Sequence, residues 1–496
     1  MSDPSLEQLV SSTEQRARDA AQEPLARFLG ESDPVRALAA YVEGYGGSSL
    51  PAGLWLSRQI ALIDELIDEQ LNAILHHADL QALESRWRGL LALTEEAAPY
   101  DNVRIRVLDV SWRDISRDLD RAAEFDQSQL FHLIYNSEFG IPGGEPYGVL
   151  LGDYAVAHRP YEGHPYDDVD TLRGLTQIAA AAFAPLVLAA APQLFGVDNF
   201  AELSPTINVE AIFRQTEYLK WRALRELEDA RFIAVTLPGV LMRHPYRHER
   251  QNRSGLHFRE RCVDPDGRDH LWGNSAFALG TVLIREFGEV GWFSHIRGMP
   301  VDHLGGGMVT HFAPLPQHAA SGQRHHILTP VLITDTMERS LADLGLMSLC
   351  HCYETPFAAF HSNPSLQQAK QHGDKAANAN ARISAMLQQI LCASRFAHYV
   401  KVLIRDKVGS FITERDCEHY LQTWLEQYTT GRDDLSWEMR ARYPLRSARV
   451  QVRERPGKPG TYSCIIHLKP HYVSDQLVAE LKLTTELANA AVGTGR

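Results

Sequence analysis

The stretch FIAVTLPGVLM, residues 232–242, is typical of a strand buried inside a sheet. Its apolar residues run on without the alternation of a half-exposed strand, and Pro238 and Gly239 mark a turn near its end. An earlier stretch, GVLLGDYAVAH at residues 148–158, has the same character. Amphipathic helical patterns alternate with these strands, so the sequence predicts a mixed α/β fold built on a sheet.

Three other segments carry definite expectations. The apolar run IAAAAFAPLVLAAAP, residues 178–192, is too short to cross a bilayer and is interrupted by Pro185, so we expect a buried helix or a pair of helices. The alternating segment NVRIRVLDVSW, residues 102–112, predicts a strand. Residues 382–411 predict one long helix that ends near Gly409.

Length and charge restrict the class of protein. A chain of 496 residues is expected to form several domains. A net charge of −13 argues against a dedicated nucleic-acid binder, which needs a basic surface to displace counterions. The first residues lack the pattern of a secretory signal, and the six cysteines are scattered, so a reducing cytoplasm is the expected location.

No catalytic motif stands out. The glycine-rich loop EFGIPGGEPYGVLLGDY, residues 138–154, lacks the Lys-Ser/Thr pair of a phosphate-binding loop and is interpreted as a structural turn. Cys350 and Cys352 are too closely spaced for a usual zinc pair, so we expect a buried strand there. The sequence therefore predicts no catalytic residue, cofactor or metal, and a protein that is not an enzyme. An enzyme with a histidine-containing cleft in residues 243–326 stays open as an alternative, because distant residues can meet in space.

The C-terminal region has the clearest pattern. Thr413 is a candidate N-cap for a helix, and three strands follow at residues 448–454, 461–469 and 477–483. Nothing after these strands can cover the edge that they leave. The edge is either covered by an earlier segment of the same chain or paired with a strand of another subunit.

A series of motifs, in order, resembles the large subunit of the type VI secretion contractile sheath, the TssC (VipB) family. The series runs from about Leu83 to Leu483 and includes LESRWRGL, EFG-x-x-GGEPYG, FAPLVLAAAPQLFG, EYLKWRALRELEDARFIAVTLPGVLMRHPY, LWGNSAFA, LCHCYETPFAAF and LKPHY.

The resemblance implies a contractile tail-sheath fold of several domains. It implies a subunit that pairs with a small sheath subunit, polymerises with its own copies around an Hcp-like inner tube on a membrane-anchored baseplate, and contracts. An AAA+ unfoldase is the implied recycling partner, acting through the small subunit, with no nucleic acid and no membrane insertion. The sheath of a phage-like contractile injection machine is the alternative from the same class.

The resemblance also implies which residues assemble the sheath. The residues expected in strand exchange between subunits are Val450, Val452, Ile466, Leu468, Leu481 and Leu483. The candidate contact with the inner tube is the helix carrying Glu414, Glu418 and Glu426. The expected division of the chain is an N-terminal arm at 1–55, a first sheath domain at 56–242, a loop-rich inserted or outer subdomain at 243–345, and a C-terminal sheath domain at 346–496 with helices in 381–428 and strands in 447–483.

Overall fold

The computed structural model describes most of the chain. The described residues are 24–45, 51–139, 141, 143–203, 206–247, 256, 258–263, 267–300, 303–318, 324–352, 355–407, 414–432, 436–454, 462–471 and 481–487. The chain divides into two compact units, one of residues 1–85 with 244–271 and a larger one of residues 86–243 with 272–496. The domain boundaries expected from the sequence stay a prediction.

The smaller unit combines helices with a non-helical segment after residue 243. Its helices are α1 (Pro24–Gly30), α2 (Pro34–Tyr45), α3 (Ala52–Leu75) and the beginning of α4 (Ala78–Ala97). An extended segment at residues 258–263 is held beside the end of α3, because the Asn72 side chain accepts a hydrogen bond from the Arg261 N–H at 2.8 Å.

A six-stranded sheet forms the centre of the larger unit. Its strands are β1 (Leu150–Val156), β2 (Leu186–Ala190), β3 (Ile233–Leu237), β6 (Met308–Val309), β9 (Leu346–His351) and β10 (Ala358–Phe360), in the order β1-β2-β3-β9-β10-β6. The first four in that order pair in parallel, whereas β10 runs antiparallel to both of its neighbours. Two further antiparallel pairs are short: β4 (Val240–Leu241) pairs with β5 (Trp272–Gly273), and β7 (Leu315–His318) pairs with β8 (Arg324–Ile327).

Helices cover the sheet and continue to the C-terminal region. They are α5 (Trp112–Arg121), α6 (Asp168–Ala182), α7 (Val209–Phe213), α8 (Leu219–Glu226), α9 (Ser275–Val290), α10 (Asp335–Asp343), α11 (Lys375–Ser384), α12 (Leu387–Lys407), α13 (Glu414–Glu426) and α14 (Trp437–Arg442). A shorter helical segment at residues 129–139 contains a π-helical turn at His132–Asn136. The last sheet is a meander of β11 (Leu445–Glu454), β12 (Tyr462–Pro470) and β13 (Leu481–Leu487).

The buried carboxylate of Asp168 joins β1, α5 and α6. It accepts hydrogen bonds from the Ala157 N–H at 2.8 Å and from the Trp112 indole N–H at 2.7 Å, and it pairs with the His164 ring at 2.6 Å. Burial raises the pKa of this carboxyl group, whereas these partners lower it. Because the group is surrounded by packing partners, it has the arrangement of a structural junction.

The expectation of a purely helical run at residues 178–192 is wrong in its second half. The helix α6 ends at Ala182, Phe183 takes a left-handed conformation, and β2 follows with all five residues buried. A strand that is buried on both faces has an unbroken apolar sequence, so periodicity does not distinguish it from a buried helix.

The single long helix expected over residues 382–411 is also wrong. It is interrupted between α11 and α12, where Met386 forms a β-bridge with Pro364. The Ala385 carbonyl accepts hydrogen bonds from the backbone N–H and the hydroxyl of Ser365, at 3.0 and 2.6 Å. These partners are distant in sequence, and the expected end near Gly409 lies outside the described residues.

Candidate assembly interface

The C-terminal sheet positions most of the residues expected in strand exchange on one face. The antiparallel register places Val450 opposite Ile466 and Ala448 opposite Leu468. On the other side of β12, Ile466 pairs with Leu483 and Leu468 with Leu481. Directly paired residues share a face, so Val450, Val452, Ile466 and Leu468 belong to the same side of the sheet. Leu481 and Leu483 occupy the paired register positions on β13.

That face packs on helices of the same chain. Val450, Val452, Ile466 and Leu468 are buried in a cluster with Leu421 and Leu425 of α13 and Phe396 and Val400 of α12. The side chains therefore serve the core of their own subunit. Strand exchange stays a prediction, and it would use the backbone groups at the edges of the sheet.

The outer edge of β11 is bonded to side chains of α13. The Val450 N–H donates to Gln422 Oε1 at 3.1 Å, and the Val452 N–H donates to Glu418 Oε2 at 3.1 Å. The Gln422 amide in turn donates to the Ala448 carbonyl at 3.2 Å. Two side chains thus satisfy three backbone groups that a joining strand would otherwise pair with.

The three glutamates expected at the inner tube lie on one stripe of α13. Positions 414, 418, 422 and 426 recur every four residues, beside the buried stripe of Cys417, Leu421 and Leu425. Glu426 is exposed and accepts a hydrogen bond from Gln422, whereas Glu418 is half-buried against β11. The structure gives Glu418 a role within the chain that the sequence did not indicate, and Gln422 was missed because only the fold places it beside a strand edge. Contact with an inner tube stays a prediction, and the expected N-cap Thr413 lies outside the described residues.

Large apolar side chains are also exposed elsewhere in the larger unit. The side chains of Trp87 and Leu91, one turn apart on α4, are 66% and 51% exposed, and Val107 is 69% exposed. Val107 belongs to residues 103–110, which were expected to form a strand but have no strand partner among the residues that the structure describes. Their alternating sequence satisfies the pattern of a strand, but a strand also needs a neighbour. The expectation is therefore wrong for this chain by itself.

The glycine-rich loop forms a tight turn around Glu138. The Glu138 carboxylate accepts a hydrogen bond from the Glu145 N–H at 2.8 Å and is paired with Arg106. A Cβ atom on Gly144 would lie 2.2 Å from the Glu138 carbonyl oxygen, so only glycine fits there. The geometry is that of the expected structural turn.

The cysteine in β9 and the one just after it have the properties of packed residues. Cys350 and Cys352 are buried, and burial raises the pKa of the Cys350 thiol to about 12. Metal ligation requires the thiolate, which this environment strongly disfavours.

In the part of the chain that the structure describes, no helix has the length and apolar composition needed to span a bilayer.

Comparison with known proteins assigns the family. Residues 57–367 match the model described as the EvpB/VC_A0108 tail sheath N-terminal domain, and residues 376–487 match the EvpB/VC_A0108 tail sheath gpW/gp25-like domain. The type VI secretion system sheath protein TssC1 of Pseudomonas aeruginosa is 37% identical over 434 residues, which cover 87% of this chain and 85% of that protein. A chain of the anti-feeding prophage (AFP) baseplate, solved by cryo-electron microscopy, aligns with a TM-score of 0.33 and 12% identity over 77% of this chain and 83% of its own. That structural likeness is too weak to support an inference, whereas the two family matches together cover most of the sequence. The chain therefore belongs to the EvpB/VC_A0108 (VipB) tail sheath family.

Proposed function

We propose that this chain is the large subunit of a type VI secretion contractile sheath. The observation that carries the proposal is the pair of tail sheath matches in consecutive order, together with 37% identity to a protein named as a type VI sheath component. The subunit pairs with a small sheath subunit and polymerises with its own copies around an Hcp-like inner tube. It acts in the bacterial cytoplasm, on a membrane-anchored baseplate, and an AAA+ unfoldase recycles the contracted sheath through the small subunit. Its role is mechanical, and it catalyses no reaction.

Exposed apolar surface supports an assembled state. Trp87 and Leu91 are exposed one turn apart on α4, and exposed apolar patches commonly bind other proteins. Helix α3 has the same character, with Leu54, Ile60 and Leu66 exposed. A subunit that is always surrounded by partners retains such surfaces because assembly buries them.

The C-terminal sheet supports strand addition at one edge in particular. The outer edge of β13 has no strand partner among the described residues, whereas the outer edge of β11 is bonded to α13. Strand addition supplies backbone hydrogen bonds that persist while rigid bodies rotate, and this suits a contracting polymer. We therefore assign intersubunit pairing to β13, where Leu481 and Leu483 lie, before β11.

Deletion of the last strand tests this proposal. A chain that ends after His471 removes β13 but keeps the β11–β12 hairpin and its buried face, and a chain that ends after Leu487 is the matched control. Each is expressed with and without a small sheath subunit, checked by circular dichroism, and imaged by negative-stain microscopy.

We expect long cylinders from the control and folded but unassembled subunits from the shorter chain. Cylinders from the shorter chain would rule out β13 as the pairing strand. Cylinders that form without a small subunit would favour a phage-like sheath, and discrete particles from every variant would favour the soluble enzyme.

A further inference from the structure

Three side chains that bind transition metals converge in the smaller unit. His76 follows directly after α3, and its Nε2 atom lies 3.5 Å from Oε1 of Glu260. Cys262 lies two residues further on, and the three ligand atoms of His76, Glu260 and Cys262 all lie within 4.8 Å of one another. Imidazole, carboxylate and thiolate are the three ligand types that zinc uses in proteins.

The geometry is built by the end of α3. Asn72 and His76 are four residues apart, so they share one face of the helical end. Asn72 accepts a hydrogen bond from the Arg261 N–H at 2.8 Å, and its amide approaches the Arg259 carbonyl at 3.5 Å. Asn72 thus binds the residues on both sides of Glu260, and this contact places the Glu260 carboxylate opposite the His76 ring.

One oxygen of Glu260 is fixed and the other faces His76. Oε2 accepts a hydrogen bond from the Tyr246 N–H at 2.8 Å, while Oε1 faces His76 Nε2. The Glu260 side chain is only 1% exposed, and the buried Nε2 atom of His76 makes no hydrogen bond to the described residues. A contact of 3.5 Å without a hydrogen bond is a weak interaction for two buried polar groups.

Cys262 is less buried than the other cysteines. Cys262 is half-exposed, whereas the remaining five are buried. Its Sγ lies 3.6 Å from the Asp269 carbonyl oxygen, and the Val263 N–H donates to Asp269 Oδ2 at 3.0 Å, which closes the loop after Cys262. An ion could therefore enter from the cysteine side of the cluster.

We propose that His76, Glu260 and Cys262 form a zinc site, with water in the fourth position. Tetrahedral zinc with metal–ligand distances of about 2.0–2.3 Å holds its ligand atoms roughly 3.3–3.7 Å apart. The His76–Glu260 distance already fits, and the sulfur reaches its position by a shift of about 1 Å. Binding releases the thiol proton, so the charges of the carboxylate and the thiolate balance those of the ion. The ion cross-links the end of α3 to the segment at residues 258–263.

The site requires the tertiary structure, since His76 is distant in sequence from Glu260 and Cys262 and the three form no recognisable spacing motif. The expectation of no metal came from examining short motifs, and these three residues belong to none. The proposal is independent of the sheath function, because the cross-link lies inside the smaller unit.

Cobalt binding to the metal-free full chain tests the site. Co²⁺ bound by a thiolate absorbs in the near ultraviolet by charge transfer from sulfur, and Zn²⁺ displaces it. We expect one equivalent of Co²⁺ to produce this band and one equivalent of Zn²⁺ to remove it. Zinc should also raise the melting temperature of the chain.

Single substitutions distinguish metal binding at this site from metal binding by other histidines of the chain. Cys262→Ser should abolish the band, and His76→Ala should weaken zinc binding at least about tenfold. The control His77→Ala changes the neighbouring histidine, whose ring interacts with the N–H of Asp79, and should leave binding unchanged. Because Cys262 is half-exposed, its replacement by serine should leave the chain folded. A chain without the charge-transfer band, or zinc affinity unchanged by Cys262→Ser, would overturn the proposal.

Discussion

The Glu418 carboxylate accepts a hydrogen bond from the backbone N–H of Val452 at 3.1 Å. The contact attaches helix α13 to the outer edge of β11, next to a similar contact from Gln422 to Val450. An edge strand without such contacts is exposed to pairing with other chains. Glu418 therefore protects the edge of β11 within the subunit, and this role does not depend on whether Glu414 and Glu426 contact an inner tube.

Replacing Glu418 by alanine should destabilise the chain more than the same change at Glu426. The Val452 N–H loses its only acceptor among the described residues, at a cost of about 1 kcal/mol, whereas Glu426 is exposed. Urea unfolding of the isolated chain measures both. Equal stabilities of Glu418→Ala and Glu426→Ala would contradict the role of Glu418 as an edge cap.

The same helix allows a separate test of the inner-tube contact. Charge reversal at Glu414 and Glu426 together should reduce sheath assembly guided by the tube, because weak polar contacts depend on complementary charge. It should lower the free energy of unfolding by only about 1 kcal/mol, since the dipole of α13 favours an acidic residue such as Glu414 in its first turn. Assembly is measured by sedimentation of sheaths in cells with the tube protein. Undiminished sheath yield in the double variant would remove these two residues from the tube contact.

Alanine at Gly144 should destabilise the turn after Glu138. The added Cβ would lie 2.2 Å from a backbone oxygen, so the turn must open at a cost of about 1–3 kcal/mol. Gly148→Ala is the matched control, because no atom lies within 4 Å of its Cβ position. Thermal melting should separate the two variants, and indistinguishable melting temperatures would show that the turn adjusts freely.

The buried ring of His398 should make the larger unit sensitive to acid. The pKa of His398 is lowered to about 3, mainly by burial and also by the charges of Arg395 and Lys401, although its hydrogen bond with the Ala182 carbonyl at 2.9 Å opposes the shift. The unfolded chain binds a proton near the ordinary pKa of about 6.5, and the folded chain does not. This contribution to stability is therefore complete above pH 6.5 and is lost as the pH falls toward 3, by up to about 1.4 kcal/mol per pH unit.

Unfolding curves between pH 7 and pH 4 measure this dependence. His398→Gln keeps a donor for the Ala182 carbonyl and should flatten the curve, whereas the control His372→Gln at an exposed position should reproduce the parent curve. A parent-like slope in His398→Gln would show that other groups cause the acid sensitivity.

Removing the Trp87 side chain should weaken assembly without loss of the fold. Trp87 is 66% exposed on α4, so its truncation costs the isolated chain little, whereas an anchoring tryptophan at an interface contributes about 2 kcal/mol or more. Leu219→Ala is the control, since Leu219 is equally exposed on α8. Co-purification of the small subunit measures the effect. Equal recovery with both variants would exclude Trp87 from the interface.

The sequence by itself determined the alternating α/β character and the C-terminal strands. The strands β1 and β3 have largely apolar sequences, which favour burial, although only β3 is buried at every position and β1 is buried in part. The sequences of β11 and β12 alternate with the period of a pleated sheet. The ordered motifs also indicated the family, because such a series depends only on the order of residues.

Only the tertiary structure decided whether a segment with a strand or helix pattern met the neighbouring segments that the predicted element requires. Residues 103–110 alternate as a strand does but have no neighbouring strand in the described chain, and the helical pattern around Ala385 is broken by contacts with Ser365. Likewise, Glu418 has the sequence pattern of an exposed helical residue but binds a strand edge, and His76 meets Glu260 across a long stretch of chain. Hydrogen bonds and metal ligands depend on distance in space, and local sequence patterns carry no information about contacts between distant segments.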